Sequence, residues 1–238
     1  MKLFRFTLLF TFLLSMNLVF NANAQDWANL NRFKEENSKV GLPRTNEDRV
    51  VFMGNSITQG WIEQVPEFFD NSNFINRGIG GQTTPQMLIR FRQDVISLNP
   101  KVVIILAGTN DIAGNTGPST LEMIEDNLYS MAELAKANNI EVVLCSILPA
   151  FDYPWKKGIE PAGKIVELNY RIKEYADTHG IVFADYFTPL ANDQNGLKDE
   201  YTNDGVHPIK TGYEVMAPIA KKAIARALVL WNNNNSNK

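Results

Sequence analysis

Five short apolar runs recur along this 238-residue chain, separated by longer stretches whose apolar residues repeat every three or four positions. The runs cover residues 50–53, 74–79, 102–106, 142–148 and 181–183, and they are rich in β-branched residues. Near-continuous apolar runs of this length are strands covered on both faces. Between them, Leu88, Phe91, Val95 and Leu98 form one helical stripe, Ile124, Leu128, Met131 and Ala135 a second, and Ile165, Leu168, Ile172 and Tyr175 a third. Strands alternating with helices require crossover connections around a parallel sheet. The expected fold is therefore α/β, a three-layer α/β/α sandwich with a central parallel sheet of about five strands, flavodoxin-like in outline. A last helix is expected over about 213–230.

The ends of the chain read differently. Lys2 and Arg5 precede an apolar stretch over 6–20, and Ala22-Asn23-Ala24 follows, the layout of a secretory signal peptide over residues 1–24. The stretch is interrupted by Ser15 and Asn17 and is too short for a spanning helix, which needs roughly 20 apolar residues. No stable membrane anchor is expected after cleavage, and export to the periplasm or medium follows. Residues 25–48 carry Trp27, Leu30 and Phe33, read as a helix on the outside of the domain, with a linker through Gly41-Leu42-Pro43. One domain is expected over 49–231, and the Asn-rich tail over 232–238 has nothing to bury and is expected to be disordered.

Net charge is −3, from 23 basic and 26 acidic residues, and no basic run occurs, so nucleic acid is not an expected partner. Cys145 is the only cysteine and lies inside an apolar run, so it reads as a buried strand thiol.

The chemistry gathers after the strands, where open α/β sheets bind ligands. The first run ends in Gly54-Asn55-Ser56-Ile57-Thr58-Gln59-Gly60, which places Ser56 either as a helix cap or as a nucleophile. The second ends in Gly78-Ile79-Gly80-Gly81-Gln82-Thr83-Thr84, a tight turn with a Thr cap or a source of bare backbone N–H groups. Its spacing is not that of a phosphate loop. The third ends in Gly108-Thr109-Asn110-Asp111, where an amide could donate to a developing oxyanion and Asp111 reads as shaping a turn. Near the C-terminus, Asp204 and His207 stand three residues apart, close enough for the carboxylate to hold one imidazole nitrogen and free the other as a base. The chain's other histidine, His179, sits at a helix end, where the helix dipole accounts for it.

With these four blocks in order, the chain resembles the SGNH hydrolases of the GDSL type over essentially all of its expected domain. The resemblance implies a catalytic set of Ser56, Asp204 and His207, and an oxyanion hole made of the Ser56 N–H, the Gly81 N–H and the Asn110 side chain. It departs from the usual pattern at Asn55, where the family has an aspartate. The segment from Asn76 to Gly81 is similar to the branch of platelet-activating-factor acetylhydrolases and bacterial acetylesterases, which implies short acyl groups. The function so implied is a serine esterase acting on a small-molecule or glycan ester, with no cofactor and no metal. Trp61 and Trp155 are candidates for a sugar-stacking rim, or else for packing. A lysophospholipase or thioesterase, and a catalytically inactive glycan-binding module, are the competing readings. The oligomeric state is not readable from the sequence.

Overall fold

In the computed structural model, which describes residues 26–70 and 72–236, five parallel strands form one sheet in the order β2-β1-β3-β4-β5. They are β1 (Val50–Gly54), β2 (Phe74–Gly78), β3 (Val102–Leu106), β4 (Glu141–Cys145) and β5 (Val182–Ala184). The helices, in chain order, are α1 (Lys34–Val40), α2 (Ser56–Gln64), α3 (Thr84–Asp94), α4 (Thr109–Ile112), α5 (Leu121–Ala137), α6 (Pro161–Thr178), α7 (Phe187–Leu190) and α8 (Lys210–Asn235).

Alternation along each strand feeds two cores. Val51, Met53, Val103, Ile105 and Leu144 face one side, where the stripes of α3, α5 and α6 cover them. Val50, Phe52, Ile104, Val143 and Cys145 face the other, against Trp61 of α2 and Tyr213, Met216 and Ala220 of α8. The result is the three-layer sandwich that the alternation of periods demands. Cys145 is buried, and burial pushes its thiol up to about 12. Among the described residues no helix is long and apolar enough to cross a membrane.

Three expectations need correction. The stripe of Trp27, Leu30 and Phe33 is not helical: these residues lie in turns, and α1 begins only at Lys34. Phe33 is buried beneath Arg77, while Trp27 and Leu30 are exposed. The Asn-rich tail is not irregular where it is described. Helix α8 continues through it to Asn235, because Trp231 Nε1 donates to the Asn139 carbonyl and Asn234 Nδ2 to Glu141 Oε1. The fourth apolar run overshoots its strand, which ends at Cys145: the Ser146 N–H still reaches the Ala184 carbonyl of β5 at 2.9 Å, and at Ile147 Asn169 of α6 takes over the pairing at both N–H and C=O. The expected signal peptide over 1–24 lies outside the described residues, as do the last two residues of the tail.

Strand order reverses about β1, with β2 on one side and β3 on the other. The loops leaving these three strands therefore open around one crevice, the place where sheets of this kind hold ligands.

Candidate active site

Ser56 is the first residue of α2, directly after the turn that ends β1. Asn55 caps this helix, its Oδ1 accepting the Ile57 N–H at 3.2 Å. The serine N–H, in the first turn, is one of the helix's unpaired donors. Its Oγ lies 2.9 Å from His207 Nε2, and His207 Nδ1 lies 2.7 Å from Asp204 Oδ2. Residues 151 positions apart are thus in hydrogen-bond contact.

The loop carrying Asp204 and His207 is held from several sides. Asp204 Oδ1 accepts the N–H groups of Val206 at 2.9 Å and His207 at 2.8 Å, and Thr202 Oγ1 donates to the His207 carbonyl at 2.8 Å. Partial burial pushes the Asp204 carboxyl upward, but these N–H groups and the imidazole outweigh it and hold the carboxyl below its ordinary value. A carboxylate kept ionised on Nδ1 leaves Nε2 free to take a proton from a hydroxyl 2.9 Å away. At the start of α8, Tyr213 donates to the Ile57 carbonyl at 2.7 Å, which ties the helix after His207 to the helix of Ser56.

The loop after β2 lies against the serine turn. Gly78 has no room for a side chain, since a Cβ there would stand 2.2 Å from the Gln59 nitrogen. Gln59 Oε1 accepts the Gly80 N–H at 2.7 Å, and this bond fixes the loop where a Cβ on Gly80 would approach Ser56 Cβ to 3.8 Å. Gly81 has φ +76°, a conformation costly for any residue with a side chain, and its N–H has no acceptor among the described residues. Asn110, in α4, gives one amide proton to the Gln82 carbonyl at 2.9 Å, and the other remains available. Ser56, Gln59, Gly80 and His207 line one depression of about 270 Å³.

Two positions were not legible as site residues. Gln59 positions Gly80, and its spacing of three from Ser56 was the available signal. Arg90, fully buried on α3, donates to the carbonyls of Gly54 at 3.1 Å and Arg77 at 2.9 Å and to Gln82 Oε1 at 2.6 Å, clamping the ends of β1 and β2 together. Its long separation from Ser56 hid it.

Asp111, expected to shape a local turn, instead lies within α4 and bonds to a distant element. Its Oδ1 accepts the N–H and hydroxyl of Thr84 at 2.9 and 2.6 Å, joining α4 to the start of α3, and burial pushes its carboxyl from 3.8 up to about 6. His179 caps α6 and bonds the Tyr175 carbonyl through Nδ1 at 2.9 Å, outside the site.

The two tryptophans separate. Trp61 is only 1% exposed, stacked on Phe68 at 4.7 Å and edge-on to Phe52, so it has no face for a ligand and its proposed part in a rim is withdrawn. Trp155 is 44% exposed, with its ring centroid 6.0 Å from that of His207. Its Nε1 donates to Asn115 Oδ1 at 3.3 Å, and Asn115 Nδ2 donates to the Gly81 carbonyl at 3.3 Å.

Comparison with known proteins agrees with the resemblance read from the motifs. The model of the GDSL-like lipase/acylhydrolase family matches residues 52–215. The crystal structure of a GDSL-like lipase from Bacteroides thetaiotaomicron superimposes with a TM-score of 0.82 at 48% identity, covering 84% of this chain and 98% of that one. Among curated proteins, an acetylxylan esterase of Xylanibacter ruminicola is 26% identical over 221 residues, covering 78% of this chain and 45% of its own length. The human platelet-activating factor acetylhydrolase IB subunit alpha2 is 25% identical over 137 residues, covering 55% of this chain and 58% of its own length. The chain thus spans about half the length of these curated relatives.

Proposed function

Because the chain belongs to the GDSL-like lipase/acylhydrolase family, we propose that it is an exported serine esterase that removes short acyl groups, acetyl above all, from carbohydrate esters. The observation that carries the reading is the continuous line of hydrogen bonds from Ser56 Oγ through His207 to Asp204.

In this reading His207 Nε2 takes the Ser56 proton as Oγ attacks the ester carbonyl carbon. The negative charge that develops on the carbonyl oxygen meets the N–H groups of Ser56 and Gly81 and the free amide proton of Asn110. His207 then passes its proton to the leaving alcohol, and the acyl group stays on Ser56. A water molecule, deprotonated by the same imidazole, releases the carboxylate and restores the serine. No step calls on a metal or cofactor.

The short acyl preference is supported by the acetylxylan esterase among the relatives, and the carbohydrate reading by that relative and by the exposed indole of Trp155 near His207. Export rests on the reading of residues 1–24.

Hydrolysis of p-nitrophenyl acetate, butyrate and octanoate, with acetate release from acetylated xylan alongside, tests the proposal. Activity should fall as the acyl chain lengthens, and Ser56→Ala should lose at least about a thousandfold in kcat. Activity rising towards octanoate would redirect the reading to lipid esters.

A further inference from the structure

A second depression, of about 300 Å³, adjoins the first: Gly80 lines both, and Gly81 lines the second. Asp26, Trp27 and Asn29, from the segment ahead of β1, form part of its wall. That segment is firmly fixed. Gln82 Nε2 donates to the Ala28 carbonyl at 2.8 Å, Gln86 Nε2 to that of Trp27 at 2.6 Å, and Gln93 Nε2 to that of Leu30 at 2.6 Å. The Asp26 carboxylate accepts the N–H groups of Leu30 at 2.7 Å and Asn31 at 3.0 Å.

On this pinned backbone the Trp27 side chain is left open, the residue 44% exposed, at the rim of the depression. An indole presents a large rigid face on which the apolar face of a ligand can stack at little cost in side-chain freedom. The polar side chains around it are the four amides of Asn29, Gln82, Gln86 and Asn115, the hydroxyl of Thr116 and the carboxylate of Asp26, and no lysine or arginine is among the lining residues. An anionic ligand would find no cation there. A neutral sugar ring fits the chemistry: its C–H face stacks on the indole, and its hydroxyls meet the Asn29 amide and the second lone pairs of the amide oxygens of Gln82 and Asn115, each of which accepts one internal bond. Asn115 makes this rim continuous with the Trp155 side, since it holds both the Trp155 indole N–H and the Gly81 carbonyl.

We propose that the depression is a subsite for a neutral sugar unit next to the one that carries the ester, with Trp27 as its stacking platform. The proposal deepens the glycan-esterase reading and rests on it. It makes the segment ahead of β1 a determinant of glycan length preference, which the catalytic groups alone would not confer.

The test uses wild type, Trp27→Ala and Trp27→Phe on four sugars: acetylated xylose and xylotriose, and acetylated mannose and mannotriose. p-Nitrophenyl acetate is the reference for each protein. Wild type should favour a trisaccharide over its monosaccharide in kcat/KM. In Trp27→Ala that preference should fall roughly five- to tenfold, through KM, on the scale of one aromatic stacking contact. Trp27→Phe should retain part of it. An unchanged length preference in Trp27→Ala, or none in wild type, overturns the subsite while leaving the esterase standing. Cleavage of p-nitrophenyl acetate with no acetate released from any of the sugars overturns the glycan reading and the subsite together.

Discussion

Asn55 stands where the family resemblance leads one to expect an aspartate, and its geometry explains why the exchange is tolerable. Its Oδ1 accepts the Ile57 N–H and caps α2, a role that a carboxylate oxygen fills equally well. The position is 1% exposed, yet it faces the positive end of a helix, which favours an anion. Asn55→Asp should therefore keep kcat/KM on p-nitrophenyl acetate within about threefold, because the capping bond survives. A loss beyond a hundredfold would assign the amide nitrogen a role that the cap does not explain. His207 was legible as the candidate base because the chain has only two histidines and one of them sits at a helix end, and the resemblance of the ordered blocks then joined Ser56 and Asp204 to it. Trp61 was misplaced for the opposite reason. Closeness to Ser56 in sequence suggested the site, whereas its spacing of four from Ile57 puts it on the face of α2 that packs on the sheet. Helical spacing, applied to that short element, would have found it.

At the scale of elements, β1 and β3 were readable because a parallel strand buried on both faces has little besides apolar residues. The end of β4 was not, because the pairing of Ile147 passes to Asn169, an amide on another element. The link between α3 and α4 also depends on one side chain, Asp111, whose carboxyl rises from 3.8 to about 6 through burial. Its sign is opposite to that of an ion-paired carboxylate. The folded protein holds this proton more tightly than the unfolded chain, so as pH rises from about 4 to about 6 the unfolded chain releases it first. Stability from this group is present below that window and lost across it, by on the order of 3 kcal/mol. Urea unfolding at pH 4, 5, 6 and 7 checks this. The stability advantage of wild type over Asp111→Asn should shrink as pH rises, and parallel curves for the two proteins would contradict the assignment.

For the molecule as a whole, the order β2-β1-β3-β4-β5 does most to bring the site together. It sets the ends of the three strands that precede Ser56, Gly81 and Asn110 side by side, and the loop before α8 then brings His207 to Ser56. That assembly was foreseeable from the alternation of strand and helix, since a parallel sheet opens its crevice where the strand order reverses. The participation of the segment ahead of β1 was not foreseeable. It is held by Gln82, Gln86 and Gln93, polar residues that no apolar period reveals. Ester hydrolysis at this site requires Ser56 to be an activated nucleophile. Reaction with a serine-directed fluorophosphonate, followed by peptide mass spectrometry, measures this directly. One adduct should form, on Ser56; it should be absent in Ser56→Ala and form at least about a hundredfold more slowly in His207→Ala, as loss of a general base requires. Undiminished labelling of Ser56→Ala, or an adduct at another residue in wild type, would contradict it.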